Sequence, residues 1–181
     1  MNEKIRKEKL DYLINLYGTA DMKTVIKEAL KVIEQYNSAT AYNVLALAHK
    51  RSGNYETEQK IYENLLIQNP KNALFLGNLG NLYTDLGFLD KAEHCFVKCL
   101  EVDKQNYDVS VSLANVLNSK GKFSDALAIL KKLLDEKLYK TQANLSDLNY
   151  RLAEIYRSAG SDYAEKAINH YACSDNPLSE S

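Results

Sequence analysis

The chain has 181 residues, and its 23 Lys plus Arg against 24 Asp plus Glu give a formal charge of -1. A nucleic-acid-binding protein usually carries a basic excess or a basic stripe, so this balance disfavours that class. The apolar fraction of 45% is too high for a disordered chain, and two prolines with seven glycines favour long helices over many short strands. We therefore expect one helical domain or one continuous helical array.

The N-terminus and the cysteines indicate the compartment. The opening MNEKIRKEKLDYL mixes charged residues and lacks the apolar core of a signal peptide. No run approaches the roughly 20 apolar residues that a membrane-spanning helix needs. Three cysteines, an odd number, fit reduced thiols better than a disulfide framework. The sequence therefore predicts a cytoplasmic protein without membrane insertion.

Helical spacing of apolar residues predicts five pairs of helices along the chain. The first pair is 3–17 with 22–36, and its two apolar stripes are Leu10, Leu13, Ile14 and Tyr17, then Ile26, Ala29, Leu30 and Ile33. The other predicted pairs are 40–52 with 55–68, 73–86 with 89–102, 107–120 with 123–136, and 146–159 with 163–172. Pro70 is expected to stop the helix that precedes it, because proline cannot continue a helix.

The last four pairs share one repeating pattern, which is centred on a glycine. Gly53, Gly87 and Gly121 are 34 residues apart, and Gly160 follows after 39, which is 34 plus an insertion of five. A leucine and then a small residue lie eight and seven residues before each glycine: Leu45 and Ala46, Leu79 and Gly80, Leu113 and Ala114, Leu152 and Ala153. We expect the leucine to face the core and the small residue to let a neighbouring helix come close. The glycine should end the first helix in a left-handed cap.

A 34-residue helix-turn-helix period is typical of the tetratricopeptide repeat, and NLGNLYTDLGFLDKAEHCFVKCLEVDKQN closely resembles that family. The resemblance covers 39–172, and 5–38 more weakly. Glu58, where a small residue is usual, and Lys104, where proline is typical, depart from the family pattern. The resemblance implies an all-α fold, a right-handed α-solenoid of antiparallel helix pairs. It would contain four clear repeats and a degenerate N-terminal pair.

The predicted domain organisation follows this period. Its parts are a degenerate helix pair at 1–38, repeats at 39–72, 73–106 and 107–140, an insertion at 141–145, a repeat at 146–174 and a flexible tail at 175–181.

A few cysteine and histidine residues are of types that can bind a metal ion or act in catalysis. His94, Cys95 and Cys99 are close in sequence, but zinc needs four convergent ligands and a second ligand pair is missing. Cys99 falls where the family places a small packing residue, so we interpret it as core. His49 occupies a packing position between helices. We predict no catalytic residues, no metal and no cofactor; a metal- or thiol-dependent enzyme would require bound metal or a reactive Cys95.

The resemblance also implies a binding surface. In tetratricopeptide arrays the first helix of each repeat lines a concave groove that binds extended or helical peptides. Residues at 13, 10, 9, 6 and 3 positions before each turn glycine should face it. The predicted groove residues are Asn43, Leu47, Lys50, Leu74, Asn78, Asn81, Val111, Asn115, Asn118, Tyr150, Arg151 and Glu154.

Asparagine recurs among these positions, and a side-chain amide both donates to and accepts from a peptide backbone. The pattern is similar to the asparagine ladder of the peptide-binding region in O-linked N-acetylglucosamine transferases. A packing or solvent-facing role for these amides is the alternative. The family's carboxylate clamp is disfavoured, because Gly77 and Asp147 stand where it requires lysines.

The predicted function is a non-enzymatic scaffold or adaptor that binds a peptide or protein segment in the groove. The alternative is the targeting or oligomerising region of a larger enzyme, such as a glycosyltransferase or sulfotransferase. This alternative rests on the ending CSDNPLSES, which supplies no amphipathic capping helix, although terminal repeats normally need one. A second copy of the chain could instead cover that end, which would make the protein a homo-oligomer.

Overall fold

The computed structural model describes residues 3–160 and 164–175, and their regular structure consists of α-helices without strands. The helices are α1 (Glu3–Thr19), α2 (Met22–Tyr36), α3 (Ala39–Arg51), α4 (Tyr55–Gln68), α5 (Ala73–Asp85), α6 (Leu89–Val102), α7 (Tyr107–Ser119), α8 (Phe123–Asp135), α9 (Gln142–Ala159) and α10 (Ala164–Asp175). The all-α prediction is confirmed. Among these helices, none is both long and apolar enough to cross a bilayer.

The largest difference from the predicted helix bounds is at α9. It begins at Gln142 rather than at 146, so residues 142–145 form its first turn. Thr141 starts the helix, because its side-chain hydroxyl accepts a hydrogen bond of 3.1 Å from the backbone N–H of Asn144. The last helix extends to Asp175, the first residue of the predicted tail, and 176–181 lie outside the described residues.

The chain divides into two compact units, 1–70 and 71–181. In the first unit, α1 packs on α2 and α3, α2 on α3, and α3 on α4. The core of this unit contains Leu13, Val25, Val32, Ala41 and Leu45. Leu13 is the one side chain of α1 that is buried within the described residues, so α1 lies at the margin of this core. Glu58 occupies the usual small-residue position on α4 and is buried, with 1% of its surface exposed.

In the second unit, each helix packs on the next, and the first helices of successive pairs also touch: α5 contacts α7, and α7 contacts α9. The core side chains of this unit include Leu79, Phe96, Leu113, Leu130 and Leu152, all of them buried. The leucines eight residues before the glycines therefore face the core, as the repeat predicts.

Three of the turns are built identically. Gly53, Gly87 and Gly121 have φ angles of +75°, +78° and +73°, the left-handed region that favours glycine. The backbone N–H after each glycine donates to a carbonyl five residues back; the bond from Phe88 to Tyr83 is 2.8 Å. The glycine N–H donates three residues back, as Gly87 does to Thr84 at 3.0 Å. Together these two bonds form a Schellman motif, so the predicted left-handed caps are confirmed at these three glycines. The prediction is wrong at Gly160, whose φ of +118° and ψ of 177° lie outside the left-handed helical region.

An ion-pair cluster joins α6 to the turn between α7 and α8. The Lys120 ammonium contacts the carboxylates of Asp90 and Glu93, and Nζ of Lys122 lies 2.8 Å from Oε1 of Glu93. Hydrogen bonds from Lys120 and then Lys122 hold the pKa of the Glu93 carboxyl below its usual value. The Asp90 pKa is lowered by the same Lys120.

This cluster predicts an acid-sensitive contribution to stability. A carboxyl whose pKa is lower in the folded state stabilises the fold above the unfolded pKa of about 4.3, and the contribution is lost as pH falls through the folded pKa. We expect Glu93→Gln to reduce the free energy of unfolding by up to about 1 kcal/mol at pH 7 and to have little effect at pH 3. Urea unfolding at pH 7, 5, 4 and 3 measures this. Glu101→Gln, exposed on the same helix, is the control, and equal effects of the two variants would contradict the prediction.

Candidate functional site

The first helices of the second unit each present a stripe of side chains that are at least partly exposed. These side chains lie 13, 9, 6 and 3 residues before the turn glycine, a spacing that keeps them on one side of a helix. We call this surface the α5–α7–α9 face, and its residues are Leu74, Asn78, Asn81, Thr84, Asp108, Ser112, Asn115, Asn118, Asp147, Arg151, Glu154 and Arg157.

The position ten residues before the glycine differs between these helices. Gly77 and Val111 are buried, and a Cβ added to Gly77 would lie 3.3 Å from Cγ2 of Val109. The close contact between α5 and α7 therefore uses this position. Val111 exposes 8% of its surface, so it offers a ligand little contact. On α9 the equivalent residue, Tyr150, is 51% exposed.

The predicted asparagine ladder is not uniform. Asn81 is exposed, whereas Asn78, Asn115 and Asn118 are partly exposed. Oδ1 of Asn115 accepts a hydrogen bond of 3.1 Å from Nη1 of Arg151, so the fold already uses its carbonyl oxygen. Oδ1 of Asn118 is buried and has no hydrogen-bond partner within the described residues. The exposed amide of Asn81 is therefore better suited than those of Asn115 and Asn118 to both donate to and accept from a ligand.

Charged groups at the α9 end of the face are paired. Nε of Arg151 donates to Oδ2 of Asp147 at 2.7 Å, and Nη2 of Arg157 donates to Oε2 of Glu154 at 2.8 Å. The Tyr171 hydroxyl also donates to Glu154. Arg157 and then Tyr171 lower the pKa of the Glu154 carboxyl, and the Glu154 carboxylate raises the pKa of Tyr171. Two arginines and two carboxylates leave this end without net charge.

An aromatic pair adjoins these charges. The rings of Tyr150 and Tyr171 meet edge to face, with their centroids 5.8 Å apart. The pair fixes the half-exposed Tyr150 against α10 and gives the α9 end an apolar surface beside Arg151.

The predicted groove residues of α3 belong to the first unit. Oδ1 of Asn43 accepts a hydrogen bond of 2.8 Å from the Tyr62 hydroxyl of α4. This bond ties α3 to α4, so Asn43 has a packing role. Leu47 and Lys50 are partly exposed on α3.

The cysteine and histidine side chains considered as catalytic or metal-binding candidates pack against other parts of the fold. Cys95 and Cys99 are buried, and burial raises the pKa of the Cys99 thiol, whose Sγ lies 3.2 Å from the carbonyl oxygen of Ala73. A buried thiol held in its neutral form is a poor nucleophile. His49 is partly buried, which lowers its pKa, and His170 stacks on Tyr156 with ring centroids 5.6 Å apart. Among the described residues, no three His, Cys, Asp or Glu side chains are grouped to hold a metal ion.

Comparisons with known proteins identify the repeat. The tetratricopeptide-repeat family model matches residues 39–72 and 73–106. Residues 39–106 therefore form two tetratricopeptide repeats, and the resemblance inferred from the sequence is confirmed there. No curated protein sequence matches the chain.

Solved structures show the same fold at low sequence identity. MamA from AMB-1 is 20% identical with a TM-score of 0.75, over 92% of this chain and 95% of MamA. A kinesin light chain from Podospora anserina with TPR-like repeats is 11% identical with a TM-score of 0.74, over 97% of each chain. PilF of Pseudomonas aeruginosa is 17% identical with a TM-score of 0.77, over 95% of this chain and 77% of its own. These similarities establish a helical-repeat solenoid fold.

Proposed function

We propose that the protein is a non-enzymatic adaptor whose α5–α7–α9 face binds an extended, uncharged stretch of a partner protein. Tetratricopeptide repeats support a protein-interaction scaffold in general. One observation carries the finer proposal: three adjacent first helices each expose amide, hydroxyl or charged side chains at the same repeat positions, and the charged groups of α9 are paired with each other. The opposite sides of these helices are buried in the core.

The chemistry of the face matches a peptide backbone better than a charged ligand. The exposed amide of Asn81 can accept from a backbone N–H and donate to a backbone carbonyl. Leu74, 50% exposed, and Tyr150 offer apolar contacts on α5 and α9 for the side chains of the partner. Arg151 is already oriented by Asp147 and Asn115, so a ligand that contacts it would lose little side-chain entropy.

The neutral α9 end determines which part of a partner would bind. Arg151 and Arg157 each have a carboxylate partner three or four residues away in the same helix. A terminal carboxylate gains little from arginines that are already neutralised, because charge-assisted bonds need an available cation. We therefore expect an internal segment of the partner, rather than its C-terminal tail, to occupy the face.

A pull-down from the native lysate, with bound proteins identified by mass spectrometry, tests this function. The variant Asn78/Asn81/Asn115→Ala should lose the partner that the wild type retains, with binding about 10- to 100-fold weaker in titration calorimetry of the partner segment. The matched control is Asn64/Gln105/Asn169→Ala, which removes three exposed amides outside the face. Circular dichroism establishes that both variants fold. The proposal fails if the two variants retain the same partners to the same extent.

The alternative role, as the targeting or oligomerising part of a larger enzyme, depends on the outer surface of α10. Ile168 is 66% exposed on that helix. Glu165, Asn169 and Ala172, its neighbours one residue or one turn away, are exposed as well; the first two are polar, and Ala172 adds only one methyl group to the apolar surface. We rank this role second because stable interfaces have a continuous apolar centre.

A further inference from the structure

A cavity of about 720 Å³ in the first unit lies between α1 and the start of α3. It is separate from the α5–α7–α9 face, and the function proposed above does not use it. Its lining residues are Glu3, Lys4, Arg6, Lys7, Leu10, Asp11, Ile14, Ser38, Ala39 and Thr40.

Ser38 is the unusual residue of this cavity. Its extended backbone, with φ -90° and ψ 130°, and the 3.0 Å bond from the Tyr42 N–H to its carbonyl place it at the N-cap of α3. Its side chain makes no capping hydrogen bond, and the hydroxyl has no partner within the described residues. Nevertheless only 3% of Ser38 is exposed. The hydroxyl oxygen is not one of the fully buried side-chain polar atoms that lack a partner among the described residues, so it stays accessible from the cavity and can donate a hydrogen bond to a bound acceptor.

The start of α3 adds further donors at the same place. The first backbone N–H groups of a helix have no acceptor within the helix, and here the N-cap side chain does not supply one. The aligned peptide dipoles of this 13-residue helix place a partial positive charge at that end. The N–H groups of Ala39 and Thr40 and the Ser38 hydroxyl therefore favour an anion.

The charged residues that line the cavity are mixed, with a net excess of one positive charge. Lys4, Arg6 and Lys7 stand against Glu3 and Asp11. Within the described residues, neither Arg6 nor Lys7 forms an ion pair, so both charges can serve a ligand. The two carboxylates weaken binding of an anion, which implies a weak site for an isolated ion. Leu10 and Ile14 add apolar surface for the molecule that carries the anionic group.

We propose that this cavity binds an oxyanion, the chemical group that a phosphate and a carboxylate share. The Ser38 hydroxyl and the first N–H groups of α3 donate to its oxygens, and Arg6 and Lys7 balance its charge. The apolar side chains of Leu10 and Ile14 contact the rest of the molecule to which the oxyanion belongs.

Titration of the full chain, followed by ¹H–¹⁵N correlation spectra, tests the site directly. Inorganic phosphate is added in one arm and acetate in another, with ionic strength held constant by sodium chloride. We expect the amide signals of residues 39–41 to shift with saturation in at least one arm, and the arm that saturates at lower concentration identifies the preferred source. Shifts that are absent, or that do not saturate in either arm, overturn the proposal.

Two matched variants separate this site from general charge effects. Lys7→Gln should raise the Kd about two- to fivefold, whereas Lys9→Gln, exposed on the same helix but outside the cavity lining, should leave it unchanged. Ser38→Ala should raise the Kd about tenfold, because a hydrogen bond to a charged acceptor is lost. Equal effects of the two lysine variants overturn the proposal, as does an unchanged Kd in Ser38→Ala. Should Ser38→Ala not fold, the lysine pair alone decides.

Discussion

Replacing Leu79 by alanine is expected to lower the free energy of unfolding by about 2–4 kcal/mol, as measured by urea denaturation. Leu79 lies on α5, eight residues before Gly87, and exposes 4% of its surface. Removing its methyl groups gives up the free energy of burying them and leaves a cavity that closely packed neighbours fill only in part.

The same helix supplies the control for this prediction. Leu74→Ala removes the same atoms from a side chain that is 50% exposed, and it should cost less than about 1 kcal/mol. Asn81→Ala, at an exposed position of the α5–α7–α9 face, should also cost little. If Asn81→Ala destabilised as much as Leu79→Ala, the assignment of the faces of α5 would be incorrect.

The helix pairs could be predicted because the determinants of the repeat are local. Gly87 is a position where the chain turns through a left-handed conformation, and its 34-residue spacing from Gly53 and Gly121 makes the period visible. Local capping was also the signal that sequence reasoning missed at α9. Thr141 is a favourable N-cap residue, and it would have placed the helix start four residues earlier.

The details of the candidate surfaces could not be predicted, because they depend on neighbouring helices. A single-helix projection places Val111 and Asn115 on one exposed side, but the contact with α5 buries the first and Arg151 of α9 binds the second. Ser38 is a second case in which the sequence does not determine the contacts of a side chain. Serine before a helix predicts an N-cap, and the sequence cannot show that the Ser38 hydroxyl makes no capping bond.

The second large effect concerns the small-residue position, which is Gly80 on α5. A Cβ at Gly80 would lie 2.5 Å from Cε1 and 2.7 Å from Cδ1 of Phe96, a ring that is fully buried. Overpacking of this kind lowers the free energy of unfolding by about 1–3 kcal/mol, whereas the better helix propensity of alanine raises it by about 1 kcal/mol. We expect Gly80→Ala to lower the free energy of unfolding by up to about 2 kcal/mol, measured in urea.

Gly18→Ala is the control that isolates the collision with Phe96. Gly18 lies in α1, and an added Cβ would meet nothing within 4 Å, so the same substitution should be neutral or stabilise by up to about 1 kcal/mol. A double variant then tests the cause. Phe96→Leu replaces the ring that would collide with the new methyl group by a smaller side chain. Gly80→Ala should therefore cost less stability in that background than in the wild type. Equal costs in both backgrounds would show that the loss has another origin, and a stabilising Gly80→Ala would mean that α6 shifts readily away from α5.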